Sequence, residues 1–249
     1  MVAHRGASAE QPENTLASFE AAASARADMV ELDVRLTSDG VVVVLHDPDL
    51  AATTDLAGPV HTLTLADVKR ADASGGRGPR QEVPTLAEVL AMLGRLGIGV
   101  DIEVKNIPGE PAYEAAREGI LEASLQVLDE VGFRPPALIT SFNPVTVARS
   151  RELAPEVPTG LLAIGDPLAA LELAGEAGHA MVLPHHRAVT EAGAGFVEAA
   201  HGAGIAVGTW TVDEEEELAT LFSWGVDAVA TNDPRRGVAV RDRVVGRSG

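Results

Sequence analysis

Short apolar runs alternate along this chain with longer stretches whose apolar positions recur at helical spacing. That alternation predicts a parallel α/β fold. The strand-like runs cover residues 1–4, 29–34, 98–104, 137–141, 159–163, 180–183, 205–210 and 226–231. Helical patterns fall between or after them, over 14–26, 86–96, 112–131, 144–154, 167–177, 191–203, 213–224 and 234–243. Several open with helix-starting residues, namely Asn14, Asn143-Pro144 and Asp166-Pro167. Eight strand–helix units in 249 residues fit a (β/α)8 barrel. A doubly wound open sheet fits less well, because the first strand runs into His4-Arg5-Gly6-Ala7-Ser8 rather than a G-x-G-x-x-G turn.

One stretch breaks the rhythm. The turn Thr37-Ser38-Asp39-Gly40 is followed by an extra strand-like run over 41–46, which the barrel does not need. Residues 47–84 are then rich in turn signals, with only a short helical piece over 65–71. We read 1–249 as a single barrel domain and 47–84 as an insertion packed over one end of it.

Composition narrows the function classes. The apolar content of 46% is ordinary for a globular protein, and no apolar run approaches the ~18 residues of a membrane span. The first residues lack the charged and apolar leader of a signal peptide, and there is no cysteine, so a cytoplasmic location is expected. A net charge of -18 argues against a nucleic-acid partner and against stable association with an anionic membrane. The sequence does not fix the oligomeric state. An anionic substrate would need local cations. Lysine is scarce, at Lys69 and Lys105 alone, which draws attention to the position of Lys105.

Strand periodicity then places the chemistry. Residues i and i+2 share a face, so Glu31 and Asp33 lie opposite Val30, Leu32 and Val34. Likewise Asp101, Glu103 and Lys105 lie opposite Val100, Ile102 and Val104. In a parallel barrel the apolar set meets the helices, so the carboxylates point inward near the C-terminal ends of the strands, where barrel enzymes keep their sites. Two readings follow. One is an internal salt-bridge layer among Glu31, Asp33, Arg35 and Lys105. The other is a hard divalent cation, Mg2+ or Ca2+, held by an all-oxygen ligand set. Three carboxylates from adjacent strands favour the cation. His4-Arg5 ends the first strand and His46-Asp47 ends the extra run. Together with the cation they make up the parts of phosphodiester cleavage: a base, an acid and positive charge for the nonbridging oxygens.

The same residues carry a family resemblance. His4-Arg5-Gly6, Pro12-Glu13-Asn14-Thr15-Leu16, Glu31-Leu32-Asp33-Val34, Asp39-Gly40 and His46-Asp47-Pro48 come in order. Glu103-Val104-Lys105, Ser141-Phe142, Trp210-Thr211-Val212 and Gly225-Val226-Asp227 follow. The ordered set resembles the glycerophosphodiester phosphodiesterase family over nearly the whole chain. The resemblance implies a (β/α)8 barrel with a small insertion after the second strand. It also implies hydrolysis of a small-molecule glycerophosphodiester to glycerol 3-phosphate and an alcohol, with Mg2+ or Ca2+. Carried onto this chain, it makes Glu31, Asp33 and Glu103 the metal ligands and His4 and His46 the acid–base pair. Arg5 and Lys105 would hold phosphate oxygens, and Trp210 would wall the glycerol moiety. Similarity to bacterial phosphatidylinositol phospholipases C suggests His4 as base and His46 as acid.

The chain departs from the family pattern at Leu50-Ala51-Ala52-Thr53-Thr54, where alanine stands for the usual arginine, and at Thr231-Asn232-Asp233-Pro234, where Thr-Asp is usual before the proline. His185 and His186 are placed to reach a head group, whereas His61, His179 and His201 are given no role. Glu214–Glu217 is read as a solvated helix start. A lysophospholipase D keeps the same site but needs an apolar groove. A Schiff-base aldolase would need a lysine of depressed pKa at 105, which neighbouring carboxylates oppose. A catalytically dead binding barrel would lack one of the site residues, and none is missing.

Overall fold

The computed structural model describes residues 1–115 and 117–246. Eight parallel strands close into a barrel. In spatial order they are β1 (Val2–His4), β2 (Met29–Leu36), β4 (Gly99–Val104), β5 (Ala137–Ser141), β6 (Thr159–Ala163), β7 (Met181–Pro184), β8 (Ala206–Thr209) and β9 (Ala228–Thr231), with β9 pairing back onto β1. A ninth strand, β3 (Val42–Val44), runs antiparallel to the far end of β2, with Val34 opposite Val44 and Leu36 opposite Val42. This is the (β/α)8 barrel of the sequence reading, and the extra run over 41–46 is an edge strand outside the closed ring.

The helices that cover the barrel are α1 (Leu16–Ser24), α3 (Leu86–Leu96), α4 (Gly119–Val131), α5 (Pro144–Leu153), α6 (Pro167–Ala177), α7 (His186–Ala192), α8 (Ala194–Gly202), α9 (Glu215–Ser223) and α10 (Pro234–Val244). The short α2 (Leu65–Val68) lies within the turn-rich stretch. Local chemistry sets most ends. Thr15 and Thr85 close capping boxes with Ser18 and Glu88, while Asn143, Asp166 and Asp233 cap helices whose first residue is proline.

Three expected helices differ in extent. Residues 14–15 stay outside α1, because Asn14 adopts φ 55° and Thr15 is the N-cap. The helix expected over 112–131 begins only at Gly119, and of the residues before it Ala116 lies outside the described residues. Pro108-Gly109 and Pro111 turn the chain here, and Asn106 holds the loop through bonds to Glu114 N (2.9 Å) and Glu114 O (3.1 Å). The helix expected over 191–203 is two, broken at Gly193. Its φ of 76° and ψ of -174° lie in a region that only glycine occupies readily.

The barrel is apolar outside and polar inside on one side of the ring. Val30, Leu32, Val34, Val100, Ile102 and Val104 are fully buried between β2, β4 and the helices, in one core with Phe19, Leu90, Leu93 and Leu121. A second core joins Val182, Val207 and Val229 to Phe196, Leu218 and Leu221 on the far side. Each such side chain contributes roughly 1.5–3 kcal/mol, which offsets the cost of the charges facing inward. Residues 47–84 pack on β3 through a small core of their own, including Val43, Leu45, Leu50, Val60, Val68 and Val83. With alanine at position 52, other arginines fasten this stretch: Arg77 donates to Ser8 O (3.3 Å) and Ala9 O (3.0 Å), and Arg80 to carbonyls at residues 69–71.

Candidate active site

Strand register brings the chemistry into two neighbouring levels. His4 pairs with Glu31 and Glu31 with Asp101, while one step toward the C-terminal end Asp33 pairs with Glu103 and Glu103 with Thr140. In-register parallel pairing turns these side chains to the same interior. Carboxylate oxygens of Glu31, Asp33 and Glu103, all buried, lie within 4.8 Å of one another.

Asp33 is the most heavily paired. Lys105 Nζ lies 2.9 Å from its Oδ1, Arg5 Nε lies 3.2 Å from its Oδ2, and Asn14 Nδ2 donates to Oδ2 at 2.9 Å. Lys105 also bonds Glu103. Burial alone would raise the Asp33 pKa, but the charges of Lys105 and Arg5 outweigh it and hold the carboxyl below the usual range.

Its neighbours are short of positive charge. Burial, reinforced by Asp33, Glu103 and Asp101, pushes Glu31 well above the ordinary carboxylate value. Burial also pushes Glu103 up to about 7 against the pull of Lys105, with Asp33 adding to the rise. Asp101 is pushed up to about 7 by burial, with Glu103 and Asp33 adding and a 2.7 Å bond from Thr140 Oγ1 opposing. Four carboxylates thus face two cations, Arg5 and Lys105, and Arg5 Nη1 is shared with Glu13 at 2.9 Å. Glu31 Oε1 is buried without a hydrogen-bond partner among the described residues. An unpartnered oxygen in a site deficient by about two positive charges fits a divalent cation, and an all-carboxylate donor set suits a hard one.

The salt-bridge reading is corrected in one member. Arg35 does not join the carboxylates. Its Nε and Nη2 donate to the His46 carbonyl at 2.8 and 2.6 Å, and its Nη1 to Glu110 at 2.5 Å. Arg35 lies at the end of β2, beyond Asp33, where the chain has cleared the cluster and meets the hairpin strand coming back. It fixes the backbone that carries His46.

The two histidines flank the cluster. His4 Nδ1 bonds Asn232 Oδ1 at 2.8 Å, and its Nε2 lies 4.0 Å from Glu31 Oε2. Burial lowers its pKa and the Arg5 charge lowers it further, while Asn232 and Asp33 partly restore it. His46 is half-buried, with Nδ1 3.4 Å from Asp47 Oδ1. Burial is again the largest cause of its lowered pKa, opposed by Asp33 and reinforced by Lys105 and Arg5. Arg5 adopts φ 54°, and in that strained turn its backbone N–H donates to Glu31 Oε2 at 2.9 Å.

Several of these line one cavity of about 170 Å³ that runs through the barrel interior and includes residues at the C-terminal ends of the strands. His4, Arg5, Glu31, His46, Glu103 and Lys105 make its polar wall. Phe142, Leu162, Leu183 and Trp210 make the apolar one. Trp210 is pinned by its Nε1 donating to Leu183 O at 2.9 Å, and it meets the Phe142 ring edge-on at 5.2 Å. His185 and His186 are not among the lining residues. His185 packs on Trp210 with centroids 5.0 Å apart, and His186 Nδ1 pairs with Glu217 Oε1 at 2.5 Å. Glu217 therefore turns to His186 rather than to solvent, a correction to its solvated reading, while Glu214, Glu215 and Glu216 are exposed as expected. Lys105 is buried between two carboxylates. Burial would lower its pKa, but Asp33 and Glu103 raise it, so it stays an ammonium and does not serve as an aldolase nucleophile.

Sequence reasoning missed three polar groups that hold this site. The sequence marks Asn14 as a helix start and as part of the Pro12–Leu16 motif, but gives it no role in the site. Arg35 was placed in the wrong layer. Asn232 was noticed as a departure without a partner, and its partner on the first strand is 228 residues away.

Among the described residues no helix is long and apolar enough to cross a membrane. The model of the Glycerophosphoryl diester phosphodiesterase family matches residues 4–236. A glycerophosphodiester phosphodiesterase of Caldanaerobacter subterraneus subsp. tengcongensis is 34% identical over 94% of each chain. One from Bacillus subtilis is 33% identical over 94% of this chain and 83% of that one. Among solved structures, an Oleispira antarctica phosphodiesterase in complex with the product sn-glycerol-3-phosphate superimposes with a TM-score of 0.88 at 31% identity, covering 97% of this chain and 96% of that chain.

Proposed function

Because the chain belongs to the glycerophosphoryl diester phosphodiesterase family, we propose that it hydrolyses small glycerophosphodiesters to glycerol 3-phosphate and an alcohol, using a divalent cation and two histidines. The observation that carries this reading is one cavity with His4, His46, Glu31 and Glu103 on one wall and Trp210 and Phe142 on the other, with Asp33 close behind Glu31 and Glu103.

Glu31, Asp33 and Glu103 are the residues that would hold Mg2+ or Ca2+, and a cation there would supply positive charge for a nonbridging phosphate oxygen and for the attacking hydroxyl. Arg5 and Lys105 add fixed positive charge to the same phosphate, and both are already oriented by Asp33. His4, buried and neutral, accepts the proton of the nucleophile. His46, on the more open side, gives a proton to the departing alkoxide and is restored by solvent. Trp210 and Phe142 cover the glycerol carbons and keep bulk water from that side. A lysophospholipase D uses the same chemistry, but the relatives named above are phosphodiesterases of glycerophosphodiesters, and we do not adopt that reading.

The test is release of glycerol 3-phosphate from glycerophosphocholine or glycerophosphoethanolamine, with and without a chelator, by the wild type and by His4→Ala, His46→Ala and Glu103→Gln. Each variant is expected to lose at least ~100-fold in kcat, and the chelated wild type to lose activity that Mg2+ or Ca2+ restores. Full activity in all three variants sinks the mechanism. Full activity under chelation removes the cation from it.

A further inference from the structure

Asn232 presents an amide to His4, and an amide has two unlike ends. Its orientation therefore decides which imidazole nitrogen carries the hydrogen. An aspartate at 232 would accept from His4 Nδ1 whichever oxygen it offered. An asparagine does so only if something holds its NH2 group on the other side.

Asp213, in the turn between β8 and α9, is that group. One of its oxygens, Oδ1, accepts the backbone N–H of Asn232 at 2.8 Å and the Thr231 hydroxyl at 2.8 Å. The other, Oδ2, accepts the Asn232 side-chain Nδ2 at 2.7 Å. Turning the amide over would set its carbonyl oxygen against a carboxylate oxygen at that distance, two acceptors with no hydrogen between them. Asn232 Oδ1 must then face the other way, toward His4 Nδ1 at 2.8 Å and Ser8 Oγ at 2.9 Å. A carbonyl oxygen only accepts, so the hydrogen sits on His4 Nδ1. Among the described residues no hydrogen bond is made at the other nitrogen, and Glu31 Oε2 at 4.0 Å is beyond hydrogen-bond reach.

We propose that Asp213 is a positioning residue: by clamping the Asn232 amide it fixes His4 in the Nδ1–H tautomer, so that the Nε2 lone pair faces the carboxylate cluster. This rests on the reading of His4 as the base, and it explains how a buried histidine beside a neutral amide keeps that lone pair available. Asp213 is not among the residues that line the cavity. It acts through Asn232.

The geometry gives an unusual pair of variants. In Asp213→Asn, the new amide keeps Oδ1 on the Asn232 N–H and Thr231, and so turns its Nδ2 toward the Asn232 amide. Asn232 then flips to offer its oxygen, its NH2 faces His4 Nδ1, and His4 is driven to the Nε2–H tautomer. In the double variant Asp213→Asn/Asn232→Asp, amide and carboxylate have exchanged places. The new amide donates to the new carboxylate, which accepts from His4 Nδ1–H again.

The experiment is long-range proton–nitrogen correlation NMR on protein labelled with 15N-histidine at pH 8, with His4 identified by the signals missing in His4→Ala, alongside kcat and KM for glycerophosphocholine. Expected are the Nδ1–H pattern in the wild type and the Nε2–H pattern in Asp213→Asn. In that variant kcat falls at least ~10-fold, within the ~10²–10⁴-fold that a positioned base contributes, and KM stays within about 2-fold. The Nδ1–H pattern should return in the double variant. A wild-type His4 with its hydrogen on Nε2, a single variant with the wild-type tautomer or undiminished kcat, or a double variant that does not restore Nδ1–H each overturns the proposal. The nitrogen shifts report the tautomer whether or not this substrate is turned over. Inactivity of the wild type would thus refute the proposed function, while the shifts still decide the clamp.

Discussion

Asp101 sits level with Glu31 and one step below Asp33 and Glu103, and replacing it with asparagine isolates the electrostatic strain of the site. Asparagine keeps an oxygen to accept the 2.7 Å bond from Thr140 and removes one buried negative charge. The wild-type carboxyl is raised from 3.8 to about 7, chiefly by burial, with Glu103 and Asp33 adding. A carboxyl whose folded pKa exceeds its unfolded one binds its proton more tightly in the folded state. Between those two values the folded state holds the extra proton, so stability falls as pH rises through the window. Integrated from pH 5 to pH 8, the loss is about 2–3 kcal/mol, and Asp101→Asn is free of it. For a domain of this size that corresponds to a Tm difference of about 5–10 °C.

Differential scanning calorimetry of the cation-free proteins at pH 5 and pH 8 measures this directly. The advantage of Asp101→Asn over the wild type should be larger at pH 8 by about 5–10 °C. The depressed pKa values of His4 and His46 act in the other sense, removing stability as pH falls through their unfolded value toward 5. They are common to both proteins and cancel in the comparison. Adding Mg2+ or Ca2+ at pH 8 should narrow the gap, because the cation supplies the charge that the mutation makes unnecessary. An equal advantage at both pH values, or a wild type more stable than Asp101→Asn at pH 8, would refute the picture of a charge-deficient site.

Other parts of the site make their own predictions. Lys105→Met leaves Asp33 and Glu103 without their shared ammonium, at a cost of about 3–5 kcal/mol; the cation-free Tm at pH 8 should fall by roughly 10 °C, and a divalent cation should recover part of it. A Tm unchanged in calorimetry would show that the lysine is not needed for charge balance. Trp210→Leu removes the ring that Phe142 and His185 brace, so KM for glycerophosphocholine should rise on the order of 10-fold, with kcat changing less; steady-state kinetics with kcat alone reduced would place the ring in the chemistry instead.

Much of this was legible in the sequence because strand periodicity is a local signal. Val30 and Leu32 against Glu31 and Asp33, and Val100 and Ile102 against Asp101 and Glu103, state which way each side chain faces once the barrel is closed. Register between strands then follows from burying the apolar set. The residues that hold the chemistry in place were harder to read, because their partners are distant in sequence and chosen by loops. Asn232 reaches His4 only after the ring closes between β9 and β1, and Asp213 reaches Asn232 from the preceding turn. Arg35 obeys the inward alternation of β2, yet it lies past the end of the cluster, where the hairpin returns His46 rather than another carboxylate. Gly193 split a helix that apolar spacing alone reads as continuous.

The central claim is that one P–O bond is hydrolysed in this cavity, on the alcohol side of the phosphorus. Turnover of glycerophosphocholine with Mg2+ or Ca2+ in 18O-enriched water, followed by mass spectrometry of the products, tests it most directly. The account predicts glycerol 3-phosphate with 18O in its phosphate and unlabelled choline, both lost on chelation. Phosphocholine as product, label in the choline, or no turnover with either cation would contradict it.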